Sequence, residues 1–206
     1  MIKDNCMMKD RVNITVLVSG GGTNLQAIID HIENGYLDKA KIVQVISGNC
    51  GAYALERAEK AGIPGVCIDK EQFPEEKERH SMILQKLREK DTDLIVLAGY
   101  MSILDQSLIE AYRKRIINIH PALIPKYCGK GYYGKRVHRA VLEGGETESG
   151  ATVHFVDEGV DTGKIILQEK VPVVLADTED TLAARVLTVE HRILPQAIKL
   201  FCDGKI

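Results

Sequence analysis

The sequence predicts an α/β fold built on an open, doubly wound, mostly parallel sheet. Helices are expected on both faces, and antiparallel strands toward the C-terminal part. Three observations carry this. Strands and helices alternate through the first half of the chain, the order that builds βαβ units. Residues 94–98, LIVLA, are a continuous apolar run, as in a strand buried on both faces of a parallel sheet. The first strand runs directly into a triglycine turn and a helix, and open sheets of this Rossmann-like kind bind ligands at the carboxyl ends of their strands.

The elements follow in order. Residues 12–19 are β-branched and read as a buried strand. The strand ends in Gly20-Gly21-Gly22-Thr23-Asn24. Leu25, Ile28, Ile29 and Ile32 then recur at helical spacing, with Gly35 where a C-cap belongs. Residues 41–47 give a second strand, 52–61 a helix closed by Gly62, and 65–68 a short third strand. Residues 73–90 form a long charged amphipathic helix, followed by the strand 94–98. The pattern then changes. A strand over 115–120 leads into a long loop, 121–136, rich in Pro, Gly and Tyr, and 138–143 is a helical turn. Strands over 151–156 and 164–173 are joined by the tight DEGVDTG loop, and 178–201 is a terminal helix that contains Pro195. No repeat, low-complexity stretch or linker interrupts the chain, so residues 1–206 are expected to form one domain, with 1–11 an N-terminal extension.

Composition narrows the function classes. Lys plus Arg number 27 against 29 Asp plus Glu, a net charge of −2, with 45% of residues apolar and 27% charged. These are ordinary globular values and speak against disorder, a collagen helix or a coiled-coil rod. A balanced charge leaves no electrostatic footprint for nucleic acid. No apolar stretch approaches the roughly 20 residues of a membrane span. The N-terminus lacks the apolar core of a secretory signal. Five cysteines (Cys6, Cys50, Cys67, Cys128, Cys202) lie scattered without a CxxC pair and read as free thiols in a reducing cytoplasm.

Four segments could carry chemistry. The GGGTN turn at a helix start offers free backbone N–H groups to an anion, with Thr23 and Asn24 as added donors, and suits a phosphate monoester. It is not a dinucleotide site: Leu25 stands where G-x-G-x-x-G/A needs its last small residue, and the second strand ends without an acid for a ribose. GKGYYGKR at 129–136 nearly spells a P-loop but lacks the final Ser or Thr and follows no strand, so it reads as a loop over a pocket. Asn118 and His120, two apart in a strand, project on one face at its carboxyl end. There an amide donor beside an imidazole suits a developing oxyanion and a proton transfer. Asp157-Glu158-Gly159-Val160-Asp161-Thr162-Gly163 places carboxylates in a glycine-bounded loop, where one could pair with a nearby imidazole. The histidines are too widely spaced to indicate a metal site, and Ser19 lacks a nucleophile elbow. The residues alone reach an α/β enzyme for a phosphorylated metabolite with a His-centred site.

Together these segments resemble the folate-dependent formyltransferases, and among them the branch acting on phosphoribosylglycinamide (GAR). The resembling stretches are VLVSGGGTNLQAIID at 16–30, LAGYMSIL at 97–104, INIHPALIPKY at 117–127, GATVHFVDEGVDTGKII at 150–166 and RVLTVEHRILP at 185–195. The resemblance implies transfer of a formyl group from 10-formyltetrahydrofolate, a co-substrate, to the amine of GAR in purine biosynthesis. It implies neither metal, nucleic acid nor membrane, and a monomer or homodimer in the cytoplasm. His120 is then the acid–base residue, Asn118 the donor to the formyl oxygen, and Asp161 the carboxylate that organises His120, with His154 in support. Gly22, Thr23 and Asn24 would take the GAR phosphate and Glu190 its ribose or glycinamide end. Met101, Ser102, Ile103 and Leu104, with Asn118, Asp157, Glu158, Gly159 and Val160, would line the folate slot. The chain departs from the family at Ser102, where Arg is expected, and near Glu76, where a base for the glutamate tail is expected. A deformylase or a tRNA formyltransferase would be expected to add a second domain before residue 12 or after 206. A non-catalytic phosphate-binding module would need only the glycine turn.

Overall fold

The computed structural model describes residues 11–206. The expected N-terminal extension, apart from Arg11, lies outside the described residues, as does Cys6. Among the described residues, seven strands form one sheet: β1 (Val12–Val18), β2 (Ala40–Ser47), β3 (Gly65–Cys67), β4 (Leu94–Leu97), β5 (Ile116–His120), β6 (Glu148–Phe155) and β7 (Ile165–Pro172). Their order is β3-β2-β1-β4-β5-β6-β7. The first five are parallel, and β6 runs antiparallel to both its neighbours, as the sequence predicts. The chain leaves β1 in one direction to make β2 and β3, then returns to lay β4 on the other side of β1. That reversal opens a crevice at the carboxyl ends of β1 and β4.

The described residues also form six helices that cover the sheet: α1 (Thr23–Glu33), α2 (Tyr53–Lys60), α3 (Glu76–Glu89), α4 (Gln106–Ala111), α5 (Lys135–Glu143) and α6 (Glu179–Cys202). Strand alternation divides the apolar residues between two cores. Ile14, Val16 and Val18 of β1 face one core with Leu25 and Ile28 of α1 and Val186, Val189 and Ile193 of α6. Leu17 faces the other, with Ile83 and Leu87 of α3 and Leu108 of α4. Both faces of the central strands are therefore dry, and each buried Val, Leu or Ile contributes about 1.5–3 kcal/mol.

The structure corrects the sequence reading at five points. Helix α4 was not predicted; Asp105 caps it by accepting from the Leu108 N–H at 3.0 Å. Helix α3 begins at Glu76 rather than at 73, because the Asp69 carboxylate ties the N–H groups of Glu71 and Gln72 into a turn before Pro74. Helix α5 starts at Lys135, inside the expected loop, where Gly134 has a φ of +52°. Strand β6 begins three residues early and passes through Gly150, where a Cβ would meet the Glu169 carbonyl at 2.0 Å. Last, the expectation of five free thiols fails. Cys50 and Cys67 are joined in a disulfide, their Cα atoms 5.2 Å apart, while Cys128 and Cys202 are free. Parallel pairing of Ser47 with Cys67 brings the turn after β2 alongside the end of β3, a proximity that linear spacing does not reveal.

Candidate functional site

A cleft of about 890 Å³ opens along the carboxyl ends of β1, β4 and β5. Its walls include every predicted site residue, from Gly22, Thr23 and Asn24 to Asn118, His120, His154, Asp161 and Glu190. The expected folate-slot residues Met101, Ser102, Ile103, Leu104, Asp157, Glu158, Gly159 and Val160 line the same space.

At one end the glycine turn enters α1. Gly22 is the N-cap residue in the left-handed region, φ +70°, and a Cβ there would meet the Ala54 Cβ at 2.6 Å. No residue but glycine fits both constraints. Asn24 is buried, and its Nδ2 donates to Glu190 Oε2 at 2.6 Å, joining α1 to α6 across 166 residues of sequence. Burial raises the Glu190 carboxyl above its ordinary range, and the Asn24 donor only partly offsets this. Among the described residues, the buried Asn24 Oδ1 has no hydrogen-bond partner.

The same cleft holds the predicted trio. Asn118 and His120 share one face of β5, and Asp161 reaches them from the loop between β6 and β7 with a φ of +58°. His120 is 4% exposed, and its Nε2 lies 2.9 Å from the Tyr127 carbonyl, which can only accept. The neutral ring is therefore the Nε2–H tautomer, with the Nδ1 lone pair 3.6 Å from Asp161 Oδ2. Burial lowers the His120 pKa below its ordinary value, outweighing the opposite pull of Asp161 and Tyr127. Its resting form at neutral pH is uncharged. Burial also works to raise Asp161, but His154, the Gly129 N–H at 2.9 Å and the two nearby imidazoles together hold that carboxyl below the usual value. A proton arriving at His120 Nδ1 would meet a carboxylate already in place.

His154 supports this arrangement from β6. Its Nδ1 is 2.8 Å from the Phe155 carbonyl, and its Nε2 lies 3.2 Å from Asn118 Nδ2 and 3.5 Å from Asp161 Oδ1. Asn118 Nδ2 also donates to Asp161 Oδ1 at 3.4 Å, so both its hydrogens are engaged.

Met101, Ile103 and Val160 present apolar side chains to the cleft, whereas Leu104 is buried in the core beneath it. The Met101 N–H donates to Ser19 Oγ at 3.0 Å, tying the segment after β4 to the end of β1. Asp157 Oδ1 accepts from Thr162 Oγ1 at 2.6 Å and from the Gly159 N–H at 3.1 Å, and Glu158 pairs with Arg113. These acids shape their loop. Ser102 lines the slot, and Glu76 does not. Sequence reasoning missed the Gly129 N–H, the Tyr127 carbonyl, Tyr100 and His138, all of which border the trio or the cleft. His138 is 5% exposed, and its Nδ1 has no hydrogen-bond partner among the described residues. The two backbone groups leave no mark in the sequence; Gly129, with a φ of +88°, is the nearest to a signal.

Comparison with known proteins agrees with this geometry. Residues 12–198 match the formyl transferase family. Phosphoribosylglycinamide formyltransferase of Escherichia coli K12 is 41% identical over 95% of this chain and 89% of its own length. The trifunctional purine biosynthetic protein adenosine-3 of Drosophila pseudoobscura is 43% identical over 97% of this chain, which spans only 14% of that longer protein. Glycinamide ribonucleotide transformylase 1 of Symbiobacterium toebii superposes with a TM-score of 0.89 at 42% identity, covering 95% of this chain and 89% of that one. With the trio at the end of β5 and the match running nearly end to end, the chain belongs to the formyl transferase family.

Proposed function

We propose that this chain transfers the formyl group of 10-formyltetrahydrofolate to the amine of GAR, a step of purine biosynthesis. The observation that carries the reading is that one cleft joins an anion turn, an acid–base trio and an apolar slot. The N–H groups of Gly22, Thr23 and Asn24 open α1 and hold the GAR phosphate, where the helix dipole favours negative charge. Glu190 takes the ribose or glycinamide end; its raised pKa eases its repulsion with the neighbouring phosphate. Met101, Ile103 and Val160 face the pterin, with the backbone of 157–160 and Ser102 at its edge.

The chemistry then follows from proton positions. The neutral amine attacks the formyl carbon, and negative charge grows on the formyl oxygen. Asn118 turns one N–H from Asp161, its longer bond, to that oxygen, a donor worth about 10²–10³ in rate. His120, buried and with its pKa lowered, acts first as a base. It takes the proton released by the amine and is stabilised by Asp161 while charged. It then returns the proton to the departing folate nitrogen. One proton enters and one leaves. The phosphate anchor holds the amine in place and lowers the entropic cost of attack.

The test is spectrophotometric: loss of the formyl group from 10-formyl folate, with and without GAR. GAR-dependent loss is expected; equal loss without GAR would mean hydrolysis instead. His120→Ala should reduce transfer by about 10²–10⁴. Wild-type turnover in that variant would remove His120 from the chemistry.

A further inference from the structure

The glycine turn is held from behind by one short segment. Four successive carbonyls accept from residues 48–57: Val18 from the Gly48 N–H at 3.3 Å, Ser19 from Asn49 Nδ2 at 3.4 Å, Gly20 from the Ala54 N–H at 3.1 Å, and Gly21 from Arg57 Nε at 2.8 Å. The direction of these bonds matters. In a trans peptide the C=O and the following N–H point opposite ways. Holding the carbonyls of 18–21 toward α2 turns the N–H groups of 19–22 to the opposite side, and Gly20, Gly21 and Gly22 line the cleft.

Arg57 is the only charged donor of the four and acts on the most important unit. The peptide whose carbonyl it holds carries the Gly22 N–H, at the N-cap of α1. A cationic donor on that carbonyl polarises the N–H at the other end of the same peptide. The guanidinium is itself fixed at three points. Its Nη1 donates to Gln26 Oε1 at 3.0 Å, its Nε to Gly21, and its Cζ lies 4.9 Å over the Tyr53 ring. Arg57 does not line the cleft.

We infer that Arg57 is a positioning residue for the phosphate of the acceptor substrate: it acts through the Gly21–Gly22 peptide and does not touch the ligand. This rests on the reading of the turn as the GAR phosphate site, so the test uses a probe independent of formyl transfer. Ribose 5-phosphate is titrated calorimetrically into the wild type, Arg57→Ala and Arg57→Lys, and steady-state constants are measured alongside. Lysine keeps the charge but cannot supply both the Nε bond to Gly21 and the Nη1 bond to Gln26. Both variants are expected to bind ribose 5-phosphate about tenfold or more weakly, since a hydrogen bond from a charged donor is lost. KM for GAR should rise in step while KM for 10-formyl folate changes little. Full rescue by Lys overturns the inference, because charge alone would then suffice. Equal rises in both KM values overturn it too, as general loosening of the fold. If Arg57→Ala does not fold, Arg57→Lys decides alone. A wild type that binds ribose 5-phosphate but transfers no formyl group sinks the proposed reaction and leaves the role of Arg57 standing.

Discussion

At His120 two neighbours pull the ring in opposite directions. Burial favours the neutral form, and Asp161, 3.6 Å from Nδ1, favours the charged one; burial is the larger effect. Removing the carboxylate removes only the upward pull. In Asp161→Asn the His120 pKa should therefore fall further below its ordinary value of 6.5. A base must be deprotonated to act, so kcat/KM rises with pH through that pKa. The acid limb should lie below the ordinary imidazole value in the wild type and shift to lower pH in Asp161→Asn. The plateau should also drop by about 10²–10⁴ as the charged ring loses its partner. Profiles of kcat/KM for GAR between about pH 5 and 8 measure both effects. Ionisation of the GAR amine is common to both proteins, so only the shift between them reports on His120. A limb that stays or climbs would show that Asp161 does not act on His120.

Among the elements, the Cys50–Cys67 link fastens the turn that leads into α2 to the end of β3. The bridged cysteines are 17 residues apart, a loop whose closure stabilises the fold by about 3 kcal/mol through the unfolded chain. Cys67→Ser should have an unfolding free energy in urea lower than that of oxidised wild type by about that amount, and reduced wild type should match the variant. Equal midpoints for oxidised wild type and variant would mean the link constrains nothing. In the sequence this pair reads as two free thiols, because spacing does not show which strand ends become neighbours. The same boundary divides the remaining elements. Alternation exposed β1, α1 and β4, whose apolar residues repeat over several turns or fill a whole strand. Helix α4 has six residues and buries only Leu108 and Ile109, too few to establish a period. Helix α5 opens on two exposed charged residues, Lys135 and Arg136, with no apolar residue to announce its start. In the site, Asn118 and His120 were legible because the two-residue strand period fixes their common face. The grip of Tyr127 and Gly129 was not, since backbone groups are alike in every residue. Arg57 was invisible for the same reason: its partner is a carbonyl.

For the whole molecule, α6 decides whether the two halves of the chain behave as one. It packs on α1 from the first half and on α5, β6 and β7 from the second. The Asn24–Glu190 bond crosses the same contact inside the cleft. One apolar cluster runs without a break from Ile14 and Ile28 through Val153 to Leu194. Chains longer than about 150 residues often unfold in stages. Here no stage can remove the second half without exposing the inner face of α1 and β1. The chain is therefore proposed to be a single formyltransferase domain that unfolds in one cooperative step. Tyrosines serve as natural probes, because the sequence has seven Tyr and no Trp. Tyr36 and Tyr53 report on the first half, and Tyr127, Tyr132 and Tyr133 on the second. Tyrosine fluorescence and far-UV circular dichroism should trace one superimposable urea transition. Saturating GAR should move both traces equally, by about 2.7 kcal/mol at a hundredfold excess over its Kd. Two separated transitions, or a ligand shift confined to one trace, would mean that α6 does not couple the halves and that the phosphate turn and the trio are held by independently stable parts.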